Sequence, residues 1–163
     1  MKKLSFVSTS SISNINLRKD LKVAVFCCTV ETDSGKVDEV SFFKINTIIR
    51  GRPQLMKETV DLIKGRIKNQ SPGTQCMAMI LLAELMLKTG FEVHQYVAQA
   101  VLDEVLVRAI PRKAAHPRVR SVAATIIKGW GVTYGMDQRL FDFADAARHY
   151  QIECSVSHIS SCS

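Results

Sequence analysis

Aromatic residues are scarce in this chain: one Trp, three Tyr and seven Phe among 163 residues. Its core must therefore be filled mainly by Leu, Ile, Val, Ala and Met. Glycine (8) and proline (4) are also few, which excludes a collagen-like or low-complexity chain. No apolar run approaches the roughly 20 residues that cross a bilayer as a helix. The longest, Met77 to Ala83, is cut by Glu84. Lys2 and Lys3 are followed by no compact apolar stretch, so no secretory leader is expected. Sustained polar–apolar alternation between hairpin turns is lacking too, which argues against strands. The five cysteines, Cys27, Cys28, Cys76, Cys154 and Cys162, contain no C-x-x-C pair. An odd number with this spacing reads as reduced cytosolic thiols, not as a disulfide framework or a zinc ribbon.

Three- and four-residue apolar spacing is plentiful, and it predicts helices over 17–29, 37–49, 54–68, 72–88, 92–110, 118–134 and 138–152. Ser71-Pro72 and His116-Pro117 are expected helix openings, a capping side chain followed by a proline at the first helical position. The 72–88 helix is apolar almost all round and reads as a central one. Gly90 is expected to close it in a left-handed conformation. Spacing directs Val40, Phe43, Ile48 and Ile49 inward on the second helix. On the last it directs Leu140, Phe141, Phe143, Ala144, Ala147 and Tyr150 inward. The expected organisation is a flexible segment over 1–16, one helical domain over 17–153, and a flexible tail over 154–163.

Catalytic patterns are missing. There is no H-E-x-x-H, no phosphate-binding glycine loop and no G-x-S-x-G. His116 lies in a linker before Pro117 and His158 in the tail, and His94 and His149 read as surface or packing histidines, so none of the four is expected to be a metal ligand. The chain is thus expected to be no enzyme and to hold no metal or cofactor.

Positive charge is the informative feature. The chain has 22 basic against 15 acidic residues, a net +7, which favours an acidic partner. Lys44, Arg50, Arg52, Lys57, Lys64, Arg66 and Lys68 form one window, opposed by Glu58 and Asp61. Arg108, Arg112, Lys113, Arg118, Arg120 and Lys128 form another, with no acid between Val105 and Met136. Arginine suits bidentate contact with carboxylate or phosphate. Arg112, Lys113, Arg118 and Arg120 are expected to border an acidic-ligand face, with Lys128 and Arg148 on its opposite wall.

At these residues the sequence resembles the VHS domain, of the wider ENTH/VHS group. The likeness is carried by Gln54 to Ile67, then Ser71-Pro72 and Ile80 to Met86. It continues through Leu87 to Gly90 with Val93-His94, Val97-Ala98 and Asp103 to Val105. It ends with His116 to Val119, Ile126 to Trp130, and Tyr150 to Ile152. The resemblance implies an all-α right-handed superhelix of about seven to eight helices, without catalysis. It implies a monomer in the cytoplasm, peripheral at endosome or Golgi membranes, that does not bind nucleic acid. Family branches bind ubiquitin through the second and fourth helices, or acidic-dileucine sorting signals between the sixth and eighth. Related ENTH and ANTH domains bind phosphoinositides, so an anionic membrane surface is a further expected partner.

Carried onto this sequence, the ubiquitin face would hold Val40, Phe43 and Lys44 beside Ser41, with Gln75 and Met79 beside Leu82. Glu39-Val40 stands where the family commonly has Asp-Trp, so ubiquitin binding is expected to be very weak or absent. The alternative implied by a sister group is a reader of phosphorylated polymerase tails in RNA processing.

Overall fold

The computed structural model describes the backbone of residues 9–109 and 115–159 and the side chains of residues 13–107 and 115–151. Every regular element among them is helical: α1 (Thr9–Cys28), α2 (Glu39–Gly51), α3 (Met56–Ile67), α4 (Pro72–Leu87), α5 (Phe91–Val97), α6 (Pro117–Tyr134) and α7 (Phe141–Ile159). Short 3-10 turns at Pro53–Leu55 and Gln138–Leu140 lead into α3 and α7. Beyond Val97 the α5 helix widens into π-helical turns over Ala98–Ala109, where one continuous helix to 110 was expected.

Short polar side chains open the helices where the sequence places them. The Asp38 carboxylate accepts from the Ser41 amide at 2.8 Å at the head of α2. Ser71 Oγ accepts from the Thr74 amide at 3.4 Å, with Pro72 at the first position of α4. His116 Nδ1 accepts from the Arg118 amide at 3.2 Å ahead of Pro117.

The α4 helix ends differently from expectation. Gly90 has φ −110° and starts α5 in extended backbone. Its predecessor closes instead on tight bonds from Lys88 and Thr89 amides, and the Thr89 hydroxyl donates to the Leu85 carbonyl at 2.9 Å. Among the described residues only Gly35 has a positive φ, 62°, in the loop before α2.

Packing runs in chain order, with α1 on α2 and α3, α3 on α4, α4 on α6, and α6 on α7, which returns to the π-helical segment. The central helix is α4, with Cys76, Met77, Met79, Leu81, Leu82 and Leu85 all buried. Glycines let α6 and α7 approach closely: Gly131 and Gly135 face Ala144 and Ala147. Trp130 meets Phe143 edge-on at 5.6 Å beside them. The Tyr150 hydroxyl donates to the Arg120 carbonyl at 2.9 Å.

Three inward assignments are corrected. Val40 and Phe43 are 79% and 74% exposed, because Ile45, Ile48 and Ile49 hold the buried stripe of α2. Phe141 is 52% exposed, and Phe143, Ala146 and Tyr150 take the inner side of α7. The outer helices also extend beyond their expected limits, α1 starting at Thr9 and α7 reaching Ile159. Once Leu21, Ala24, Val25 and Cys28 anchor α1, adding Ser and Asn residues to its end costs only a few tenths of a kcal/mol each.

Candidate interaction surfaces

Helix α2 turns Ile45, Ile48 and Ile49 into the core, so Val40 and Phe43 stand out on its other side. Phe43, Phe42 and Thr47 line a cavity of about 350 Å³ that reaches Lys88 at the end of α4. A neighbouring cavity of about 390 Å³ lies between Val37, Phe42, Ile80 and Glu84. Apolar side chains and surrounding polar groups from α2 and α4 thus share one face.

The α4 half of that face is not the expected one. Met79 is 1% and Leu82 0% exposed, so both belong to the core. Gln75 is half-buried, and its amide nitrogen donates to the Ile67 carbonyl at 3.0 Å. The outward side of α4 carries Glu84, Leu87 and Lys88 instead, with Leu87 66% exposed. The signal was present in the sequence. Glu84 is the one charge inside an apolar helix, and Ile80, Leu87 and Lys88 stand three or four residues from it.

Among the described residues of the expected acidic-ligand face, Arg118 and Arg148 are already taken by carboxylates of the chain. Arg112 and Lys113 lie outside the described residues. Arg118 and Arg120, two residues apart on α6, point about 200° apart round the helix axis. Arg118 Nη1 sits 2.7 Å from Glu31 Oε1, so the acid-free window acquires an acid from 87 residues away. Arg148 holds Asp145 at 3.2 Å and stacks over Phe141. Lys128 is exposed on α6. The groove between the π-helical segment and α7, about 390 Å³, is lined by Asp103, Asp142 and Asp145 over Leu102 and Ala146.

Most cations of the first window are also engaged. Lys64 and Lys68 hold Glu104 at 2.7 and 3.1 Å, and these hydrogen bonds push its carboxyl down to about 2. Arg66 donates to Thr29 Oγ1 at 2.8 Å and lies over the Phe26 ring. Lys57 lies over Tyr96, and Lys44 reaches Asp20 at 3.5 Å. Arg50, Arg52 and Lys88 make no ion pair among the described residues.

Among the described residues no three His, Cys, Asp or Glu side chains come together as metal ligands. His94 Nε2 lies 2.9 Å from the Met86 carbonyl and its ring packs on Tyr134. Burial pushes the Cys28 thiol up to about 12, so it is not a reactive nucleophile. No described helix is long and apolar enough to cross a membrane.

Compared with known families, residues 30–152 match the model of the VHS domain. No curated protein and no solved structure matches the chain.

Proposed function

The chain belongs to the VHS domain family, whose members share an all-α superhelical fold and act as non-catalytic interaction domains, and from that premise we propose that its α2–α4 face binds ubiquitin weakly. At the coarser level the family marks a protein-interaction module of membrane-traffic adaptor type. The finer reading rests on one observation. Val40 and Phe43 on α2 and Leu87 on α4 are exposed apolar side chains, and α2 and α4 jointly line the cavities beside Phe42. Ubiquitin offers a small apolar patch, and an apolar centre with a polar rim suits it. Phe43 supplies an aromatic anchor where the usual tryptophan is missing. Such anchors carry about 2 kcal/mol or more in an interface.

The test is an NMR titration of the labelled chain with ubiquitin. Shifts confined to 39–51 and 80–88, lost in Phe43→Ser and Leu87→Ser, support the reading. Shifts elsewhere, or shifts that survive both substitutions, defeat it. An acidic-dileucine signal is the weaker candidate ligand, since Asp103, Asp142 and Asp145 line the groove between the π-helical segment and α7. Co-purification with polymerase subunits instead of endosomal proteins would turn the argument toward the tail-reading alternative.

A second reading concerns an anionic membrane, at endosomes or the Golgi. Ile15, Val23 and Phe26 are 50%, 60% and 55% exposed on α1. Lys19 and Lys22 share their helical face, and Arg66 lies over Phe26. Apolar side chains interspersed with cations on one exposed helix face can meet an anionic lipid surface. Sedimentation with anionic but not neutral liposomes, weakened by salt and lost in Val23→Glu, is the expected result. Equal sedimentation with neutral liposomes would refute it.

A further inference from the structure

Another cleft lies where α2 ends and α4 passes into α5. Its volume is about 360 Å³, at the small end of the roughly 300–1,000 Å³ range of ligand pockets. Ile49 and Val93, 5% and 4% exposed, lie at its base, with Met56 beside them and Pro53 and Phe91 at its sides. The Phe91 wall is held in place: the Arg139 guanidinium lies 4.1 Å from its ring, and Asp137 binds that guanidinium at 2.7 and 3.0 Å. A wall fixed in advance lowers the ordering cost of binding.

Two cations line this cleft, Arg50 from the last turn of α2 and Lys88 from the end of α4. Both also line the neighbouring cavity beside Phe43, so they stand where the two meet. Lys44, Lys64, Lys68, Arg118, Arg139 and Arg148 each face a carboxylate of the chain itself. Among the described residues Arg50 and Lys88 form no ion pair, although Glu92 also lines the cleft and Glu39 the neighbouring cavity.

We propose that this cleft binds the C-terminal residue of a partner protein, with an apolar side chain against Ile49, Met56 and Val93 and the terminal carboxylate on Arg50 and Lys88. The guanidinium of Arg50 can take a carboxylate bidentately, and Lys88 adds a point charge. A terminal residue is favoured over an internal acid by geometry. In an extended peptide adjacent side chains point to opposite faces, so an internal Asp or Glu beside an apolar residue would point away from the cleft. A terminal residue carries its carboxylate and its apolar group on one carbon. This goes beyond the ubiquitin reading and does not depend on it.

The experiment is fluorescence anisotropy on the full chain, with a labelled Gly/Ser peptide ending in Leu. The free acid should bind. The C-terminal amide, a peptide ending in Gly, and Arg50→Glu or Lys88→Glu should each lose about tenfold or more, at least about 1.4 kcal/mol. Glu92→Gln should tighten binding, and Phe43→Ser, which removes the ubiquitin anchor, should leave it unchanged. Circular dichroism melts check that each variant is folded. Equal affinity for acid and amide overturns the proposal. So does absence of binding to the Leu-ending acid, or binding of decanoate without binding of either peptide.

Discussion

Replacing Gly131 with Ala tests the closeness of the α6–α7 seam. A methyl carbon added there would lie 2.5 Å from Ala147 Cβ and 3.3 Å from the Phe143 carbonyl oxygen. Neither neighbour is the end of a flexible side chain, so the helices themselves must part. Overpacking of this kind costs about 1–3 kcal/mol. Against it stands the helix propensity of Ala over Gly, about 1 kcal/mol in a helix interior. The net expectation is a destabilisation of about 0–2 kcal/mol.

Gly129 is the internal control, two residues earlier on the same helix, exposed, with nothing within 4 Å of an added methyl. Gly129→Ala should stabilise by about 0.5–1 kcal/mol through propensity alone. At this chain length each kcal/mol moves the melting temperature by about 2–4 °C, so the two variants should separate by roughly 1–12 °C. Combining Gly131→Ala with Ala147→Gly removes the opposing methyl. The pair should therefore be more stable than the sum of its single effects. The assay is thermal and urea unfolding of the parent and four variants, Gly131→Ala, Gly129→Ala, Ala147→Gly and the double. If Gly131→Ala melts with Gly129→Ala or above it, the helices are not in the contact described.

Other outcomes follow from the same structure. Arg118→Glu sets a like charge against Glu31; the exposed pair is worth about 0.2–1 kcal/mol, and the exchange Glu31→Arg with Arg118→Glu should recover most of the loss in a melting experiment. In the native chain an alkylating reagent at pH 8 should modify exposed Cys27 and spare buried Cys28 and Cys76 until denaturant is added, as read by peptide mass spectrometry. Glu104 is held below its ordinary 4.5, at about 2, so the unfolded chain takes up that proton first. Its contribution is present above 4.5 and lost as pH falls toward about 2. The melting difference between the parent and Glu104→Gln should therefore shrink to nothing over that interval.

Much of the helical layout was legible from local chemistry. Ser71-Pro72 and His116-Pro117 mark helix starts because a capping side chain and a proline act on the backbone next to them. The all-round apolar character of α4 foretold its central place, since such a helix must be covered on several sides. Periodicity also fixes the angles between side chains on one helix, but not which of two apolar arcs turns inward. On α2 the arc of Ile45, Ile48 and Ile49 went in, and Val40 and Phe43 stayed out. On α4 the neighbours covered Met79 and Leu82 and left Leu87 exposed. Charge shows the same division. The basic windows were visible as composition, yet Glu31 reaches Arg118 and Glu104 reaches Lys64 and Lys68 only because helices distant in sequence pack together. An ion pair depends on distance in space, and a few ångströms across a helix interface can come from many tens of residues along the chain.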